Sequence, residues 1–133
     1  EAKAYGADVI LLIAACLKKE EVQEFAAYAH QLGLNVLLEV HNEQELLDNL
    51  FDDIDAIGVN NRNLKDFTVD LQHSYNLLDK IPSEYIKVSE SGISDPKTIK
   101  ALKKAGFQSF LIGENFMKTA DPGKAIKDFV KEI

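Results

Sequence analysis

Tryptophan is absent from the 133 residues, cysteine and methionine occur once each, and proline occurs three times. A lone Cys16 cannot form an internal disulfide, and with three scattered histidines it offers no zinc-ligand spacing. No metal and no cofactor is therefore expected, and Cys16 reads as a small buried side chain. No apolar run approaches the roughly 20 residues needed to cross a membrane, and no positively charged leader precedes one. A cytoplasmic location without a membrane partner is the simplest expectation. Positive charge is also scarce: 15 Lys and Arg face 22 Asp and Glu, for a net charge of −7. Nucleic acids are bound through clustered Lys and Arg, so a general nucleic-acid surface is excluded. An anionic ligand would have to be held by a few local cations and backbone N–H groups.

What is present is the composition of a globular chain, 46% hydrophobic and 28% charged, with length for one core and a single domain over residues 1–133. Glu1 to Tyr5 reads as the last turn of a helix closed by Gly6. Strands are expected at Asp8 to Ile13, Asn35 to Val40, Ala56 to Val59, Tyr85 to Glu90 and Ser109 to Ile112. Between them lie helical patterns. Lys18 to Gln31 places Val22, Phe25, Ala26 and Ala29 on one face, with Gly33 closing the helix. Asn42 with Glu45 makes a cap of the capping-box kind, and Asp95-Pro96 and Asp121-Pro122 each open a helix. The last helix should turn Ala125, Ile126, Phe129 and Val130 inward.

Strand starts near residues 9, 35, 56, 86 and 109 leave room each time for a right-handed parallel crossover. Such a pattern means an α/β fold with a parallel sheet, either an open doubly wound domain or a (β/α)8 TIM barrel of about 250 residues. No Asp cluster follows the first strand, where Ile13-Ala14-Ala15-Cys16 is apolar. The chain also opens on a helix end that passes directly into a strand. The expectation is a partial barrel of about five strands.

The most informative stretch is Ala56-Ile57-Gly58-Val59-Asn60-Asn61-Arg62. A short apolar run without alternation fits a parallel strand covered on both faces, and polar residues at its carboxyl end stand where such folds bind ligands. With Gly6 to Ile13, Leu38-Glu39-Val40-His41, Ser89-Glu90-Ser91-Gly92-Ile93 and Leu111-Ile112-Gly113-Glu114, it makes five motifs in order. Together they resemble the C-terminal part of the indole-3-glycerol phosphate synthase family, over essentially the whole chain.

That resemblance implies strands four to eight of the barrel, and a lyase of tryptophan biosynthesis. The family closes a pyrrole ring on 1-(2-carboxyphenylamino)-1-deoxyribulose 5-phosphate, with loss of carbon dioxide and water. Glu39 matches the catalytic glutamate, which desolvation would suit to base chemistry. Taken alone, a strand-end carboxylate reads as the partner of a nearby Lys or Arg. Asn60, Glu90 and Ser91 match further catalytic positions. Arg62 and Leu12 match substrate-binding ones, Arg62 as a clamp for carboxylate or phosphate. Gly92, Gly113 and the N–H of Glu114 match the phosphate-binding loops, with the Glu114 side chain expected to point away. His41 reads as a helix-start or surface residue. The family's lysine on the third strand, its acid catalyst, has no counterpart, and Lys3, Lys18 and Lys19 cannot replace it. The expected partners are a phosphorylated small molecule and either the other half of the barrel or a second copy of the chain. Two alternatives remain open: a non-catalytic open-sheet domain binding a phosphorylated ligand or a partner protein, and another phosphate-binding barrel such as phosphoribosylanthranilate isomerase.

Overall fold

Five short apolar segments pair side by side as parallel strands: β1 (Val9–Ile13), β2 (Asn35–Val40), β3 (Ala56–Asn60), β4 (Ile86–Glu90) and β5 (Ser109–Leu111). The computed structural model describes residues 1–133. The connections are helical: α1 (Lys19–Gln31), α2 (Glu43–Asp48), α3 (Gln72–Leu78) and α4 (Pro96–Ala105), with α5 (Glu114–Met117) and α6 (Pro122–Lys131) after β5. The strands lie in chain order, β1-β2-β3-β4-β5. A doubly wound sheet reverses its order at a switch point; this one never does, and the open-sheet alternative falls.

Register decides which residues share a face, because side chains alternate along a strand. Ile13 stands opposite Glu39, Glu39 opposite Gly58, and Gly58 opposite Val88. Two residues on, Asn60 stands opposite Glu90 and Glu90 opposite Leu111. The other alternation holds Leu12, Val36, Leu38, Val40, Ile57 and Val59. All are buried in one cluster of 23 residues with Val22, Ala26 and Ala29 of α1, Leu46 of α2, Leu77 of α3 and Leu102 of α4. The helices thus cover one face. On the opposite face Val9, Leu11, Ile86 and Leu111 are exposed. A one-sided parallel sheet with helices outside is a wall of a barrel, and the fold is a partial α/β barrel.

Local signals end the helices where the sequence places them. Gly6 takes φ +88° and its N–H returns to the Lys3 carbonyl, although the turn before it is 3-10 rather than α-helical. Asn42 accepts from the Glu45 N–H at 2.9 Å, while the Glu45 carboxylate reaches back one residue further than a capping box requires, to the His41 N–H at 2.8 Å. Asp95 and Asp121 cap α4 and α6.

Four side chains depart from expectation. Cys16 is exposed, because it ends a 3-10 turn after β1, a strand paired on one side only. Phe25, Ile126 and Val130 are exposed as well. Each flanks the true buried stripe of its helix, Val22-Ala26-Ala29 in α1 and Ala125-Phe129 in α6, where Phe129 meets Phe116 edge to face at 5.2 Å.

At the amino ends of the strands, His30 in the last turn of α1 sits between Asp55 (Nε2 to Oδ2, 2.9 Å) and Asp53 (Nδ1 to Oδ1, 3.1 Å). Asp55 also accepts the Val36 N–H at 2.7 Å, so the clamp ties α1 to β2. The hydrogen bond to Asp55, with the two nearby negative charges, raises His30 above its ordinary 6.5. A raised folded value means stability present in full below about 6.5 and lost as pH rises through the folded value. Thermal denaturation of the chain and of His30→Asn across that range should therefore converge toward alkaline pH. Parallel profiles would show that the clamp contributes nothing.

Candidate active site

At the carboxyl ends of β2, β3 and β4, on the face the helices leave uncovered, three polar side chains converge. Glu39 is 5% exposed, Asn60 7% and Glu90 1%. Asn60 Nδ2 donates to Glu39 Oε1 at 2.8 Å, and Asn60 Oδ1 accepts the Arg62 N–H at 2.9 Å. Both ends of the amide are thereby fixed, and its donor end holds the carboxylate of Glu39. Only one Glu39 oxygen is held by the amide.

Glu90 is held differently. A Cβ on Gly58 would lie 1.8 Å from Glu90 Oε1 and 2.8 Å from its Cδ, so the carboxyl lies directly over the bare Cα of Gly58. That oxygen has no hydrogen-bond partner in the chain. Burial first, and the adjacent Glu39 second, push the Glu90 carboxyl from an ordinary 4.5 up to about 8. Like charges that share a buried site cannot both ionise near neutrality. Glu90 is therefore the protonated member of the pair, a neutral donor beside an acceptor.

His41 stands at the start of α2, one residue before the Asn42 cap, as expected, and its side chain is 13% exposed rather than on the surface. It follows Glu39 by two positions, on the same face, and its Nε2 lies 3.3 Å from Glu39 Oε1 and its Nδ1 3.5 Å from Glu45 Oε2. Neither contact is aligned as a hydrogen bond, so the ring packs against Glu39 without bonding it. The period-two spacing of Glu39 and His41 was the signal for this contact. Leu12 is a correction of the opposite kind: it pairs with Leu38 in register, points to the helices and lies in the core. Alternation turns it away from the face where substrate could reach it.

Two cavities open at the same end, and Arg62 lines both. One, of about 490 Å³, is bounded by His41, Asn60, Lys65 and His73. The other, of about 630 Å³, is bounded by Ser91, Gly92, Gly113, Glu114 and Lys118. Ser91 takes φ +66°, rare for a residue with a side chain, and Gly92 follows at +73°. A Cβ on Gly92 would meet Val69 Cγ1 at 2.2 Å, and Val69 bridges to Arg62. The glycine thus serves close packing as well as turning. Glu114 does not point away: its Oε2 accepts from Arg62 Nη2 at 2.5 Å, since Arg62 is the nearby cation across the cavity mouth. Lys118, which motif reading passed over, brings a second cation to this cavity.

The family model of indole-3-glycerol phosphate synthase matches residues 1–129. The chain belongs to the indole-3-glycerol phosphate synthase family. The indole-3-glycerol phosphate synthase of Bacteroides thetaiotaomicron is 53% identical over 133 residues, all of this chain and 51% of the relative. That of Leuconostoc mesenteroides is 46% identical over 127 residues, 96% of this chain and 48% of the relative. The chain spans about half the length of the curated relatives it matches. Among solved structures, a 3-hexulose-6-phosphate synthase superposes with a TM-score of 0.77 at 16% identity, over 99% of this chain and 65% of that one. At that identity the likeness concerns the fold alone.

Two substitutions test the carboxyl pair. Gly58→Ala forces Glu90 out of its seat and should cost about 1–3 kcal/mol, the usual range for overpacking. Glu90→Gln should have another signature. Folded Glu90 keeps a proton that the unfolded chain releases above 4.5, so native stability falls as pH rises from about 4.5 to about 8. Denaturant titrations should show Glu90→Gln gaining on the parent across that interval; a constant difference would mean that Glu90 ionises normally.

Proposed function

We propose that this chain supplies five consecutive strand-helix units of an indole-3-glycerol phosphate synthase, acting on 1-(2-carboxyphenylamino)-1-deoxyribulose 5-phosphate in the cytoplasm. The observation that carries the reading is the grouping of Glu39, Asn60 and Glu90 on one sheet face beside Arg62, within a chain that belongs to this family. Ring closure with loss of carbon dioxide and water needs a proton acceptor, a proton donor and anchors for two anionic groups. Glu39, oriented by Asn60, accepts a proton. Glu90 donates a hydrogen bond from its neutral carboxyl. Ser91 offers a hydroxyl at the rim, and Asn60 positions a substrate hydroxyl through its amide.

Arg62 binds the carboxylate or the phosphate. Backbone N–H groups of Gly92, Gly113 and Glu114 take phosphate, in an acidic chain where backbone donors bring no long-range repulsion. The ion pair with Glu114 must open for Arg62 to engage its anion. An exposed pair of this kind is worth about 0–1 kcal/mol, so opening it costs little.

The acid-catalyst lysine implied by the family resemblance lies outside the matched strands, and the exposed inner face offers β1 and β5 as unpaired edges. The proposed partners are accordingly the complementary half of the barrel or a second copy of the chain. Turnover should be absent in the purified chain and appear when it is joined to the part of the Bacteroides thetaiotaomicron relative that it does not match. In that joined protein Glu39→Gln should lower kcat by roughly two to four powers of ten with little change in KM, and Arg62→Ala should raise KM as well. Full turnover by the chain alone, or parent kinetics in Glu39→Gln, would overturn the reading.

A further inference from the structure

Asn61 lies between Asn60 and Arg62 but points to the opposite side of the sheet, where a strand residue facing helices is normally apolar. It is 3% exposed. Its Nδ2 donates to the carbonyls of Glu90 (2.9 Å) and Ser91 (3.2 Å) and to Ser89 Oγ (3.1 Å). Its Oδ1 accepts from the Ser74 N–H (3.1 Å) and from Ser74 Oγ (2.9 Å). Ser74 and Ser89 are fully buried, with their hydroxyls 2.7 Å apart, which closes a ring of three donors and three acceptors. The main chain joins in: Asn61 N–H donates to the Glu90 carbonyl and the Asp70 N–H donates to the Asn61 carbonyl, each at 2.9 Å.

These partners are not scattered. Two are the carbonyls of Glu90 and Ser91, on either side of the Ser91 Cα, whose left-handed conformation begins the Ser91-Gly92 turn. Such a conformation at a residue with a side chain is strained and persists only where surrounding bonds over-determine it. The Asn61 amide provides those bonds from a buried seat anchored by α3. We propose that Asn61 is a positioning residue: by gripping the Glu90 and Ser91 carbonyls it fixes the turn after β4, and with it the placement of Glu90, Ser91 and Gly92. It touches no substrate and acts through the residues it holds. The proposal rests on the synthase reading for its activity readout, and on backbone geometry alone for its second readout.

The experiment uses the joined full-length barrel described above, with Asn61→Ala, Asn61→Asp and the milder Ser74→Ala. Val36→Ala, a buried core substitution at the amino end of β2, away from the carboxyl strand ends that hold the site, serves as the stability control. Misplacing a reacting group by about 1 Å can cost around a hundredfold in rate. Asn61→Ala and Asn61→Asp should lower kcat of the folded protein by about ten- to a hundredfold, Ser74→Ala by less, and Val36→Ala should lower thermal stability while keeping kcat within about twofold. Amide exchange at Ser91, Gly92 and Ile93 should quicken in the Asn61 and Ser74 variants and not in the control. An inactive parent would contradict the synthase reading, and amide exchange would then decide the positioning role alone. Unchanged kcat with unchanged exchange would overturn the proposal. So would loss of fold in all three variants, Ser74→Ala included, because Asn61 would then be a stability residue only.

Discussion

Two carboxyl groups buried side by side are the constraint around which this chain is arranged. Glu39 on β2 and Glu90 on β4 reach toward each other across β3, and they can do so because β3 carries Gly58 between them. Any side chain at that position would fill the space of the Glu90 carboxyl. Burying two carboxylates without counter-charge is prohibitive, and the pair answers by keeping one proton on Glu90 and giving Glu39 an amide donor from Asn60. The result is an acceptor and a donor held together in a dry place. General acid-base chemistry needs both, and here both come from one residue type.

The elements around the pair follow from it. β3 delivers Asn60 to Glu39 and, one residue on, Asn61 to the far side of the sheet, so a single strand end organises both the reacting face and its support. Arg62 then crosses to the rim, where it separates the two cavities and meets Glu114. Opposite faces of the sheet thus have different duties. The helix face supplies burial, and the inner face carries the polar cluster of Glu39, Asn60 and Glu90 at one end and an exposed apolar surface along the rest.

Much of this was legible in sequence because it is local. Hydrophobic runs of strand length, Asx caps followed by proline, and glycines closing helices are each fixed within a few residues, and the elements formed at or within a few residues of their expected limits. The convergence of Glu39, Asn60 and Glu90 was legible too, through motifs at successive strand ends. What escaped depends on partners distant in the chain. Leu12 was assigned to the site although alternation from Glu39 through the register puts it among the helices. Phe25 was expected inside because the pattern marks an apolar stripe but not its edges, and Cys16 because a lone unpaired cysteine reads as a small buried side chain. Glu114 pairs with Arg62, 52 residues away, a contact no local signal encodes. Asn61 stood inside a recognised motif, yet its role rests on Ser74 and Ser89, two ordinary serines until the fold brings them together.

The family, the one-sided parallel sheet and the carboxyl pair together support the proposal that this chain forms the carboxyl-end wall of a barrel active site, with Glu90 as its neutral member. The most direct measurement is a carbon NMR titration of the side-chain carboxyls in the purified chain, with Glu39→Gln and Glu90→Gln used to assign the two resonances. The Glu90 carboxyl should titrate near 8 in the parent and move toward the ordinary 4.5 when Glu39→Gln removes the neighbouring charge. A Glu90 resonance that titrates near 4.5 in the parent would contradict the account, because the buried pair would then hold two charges and no proton to give.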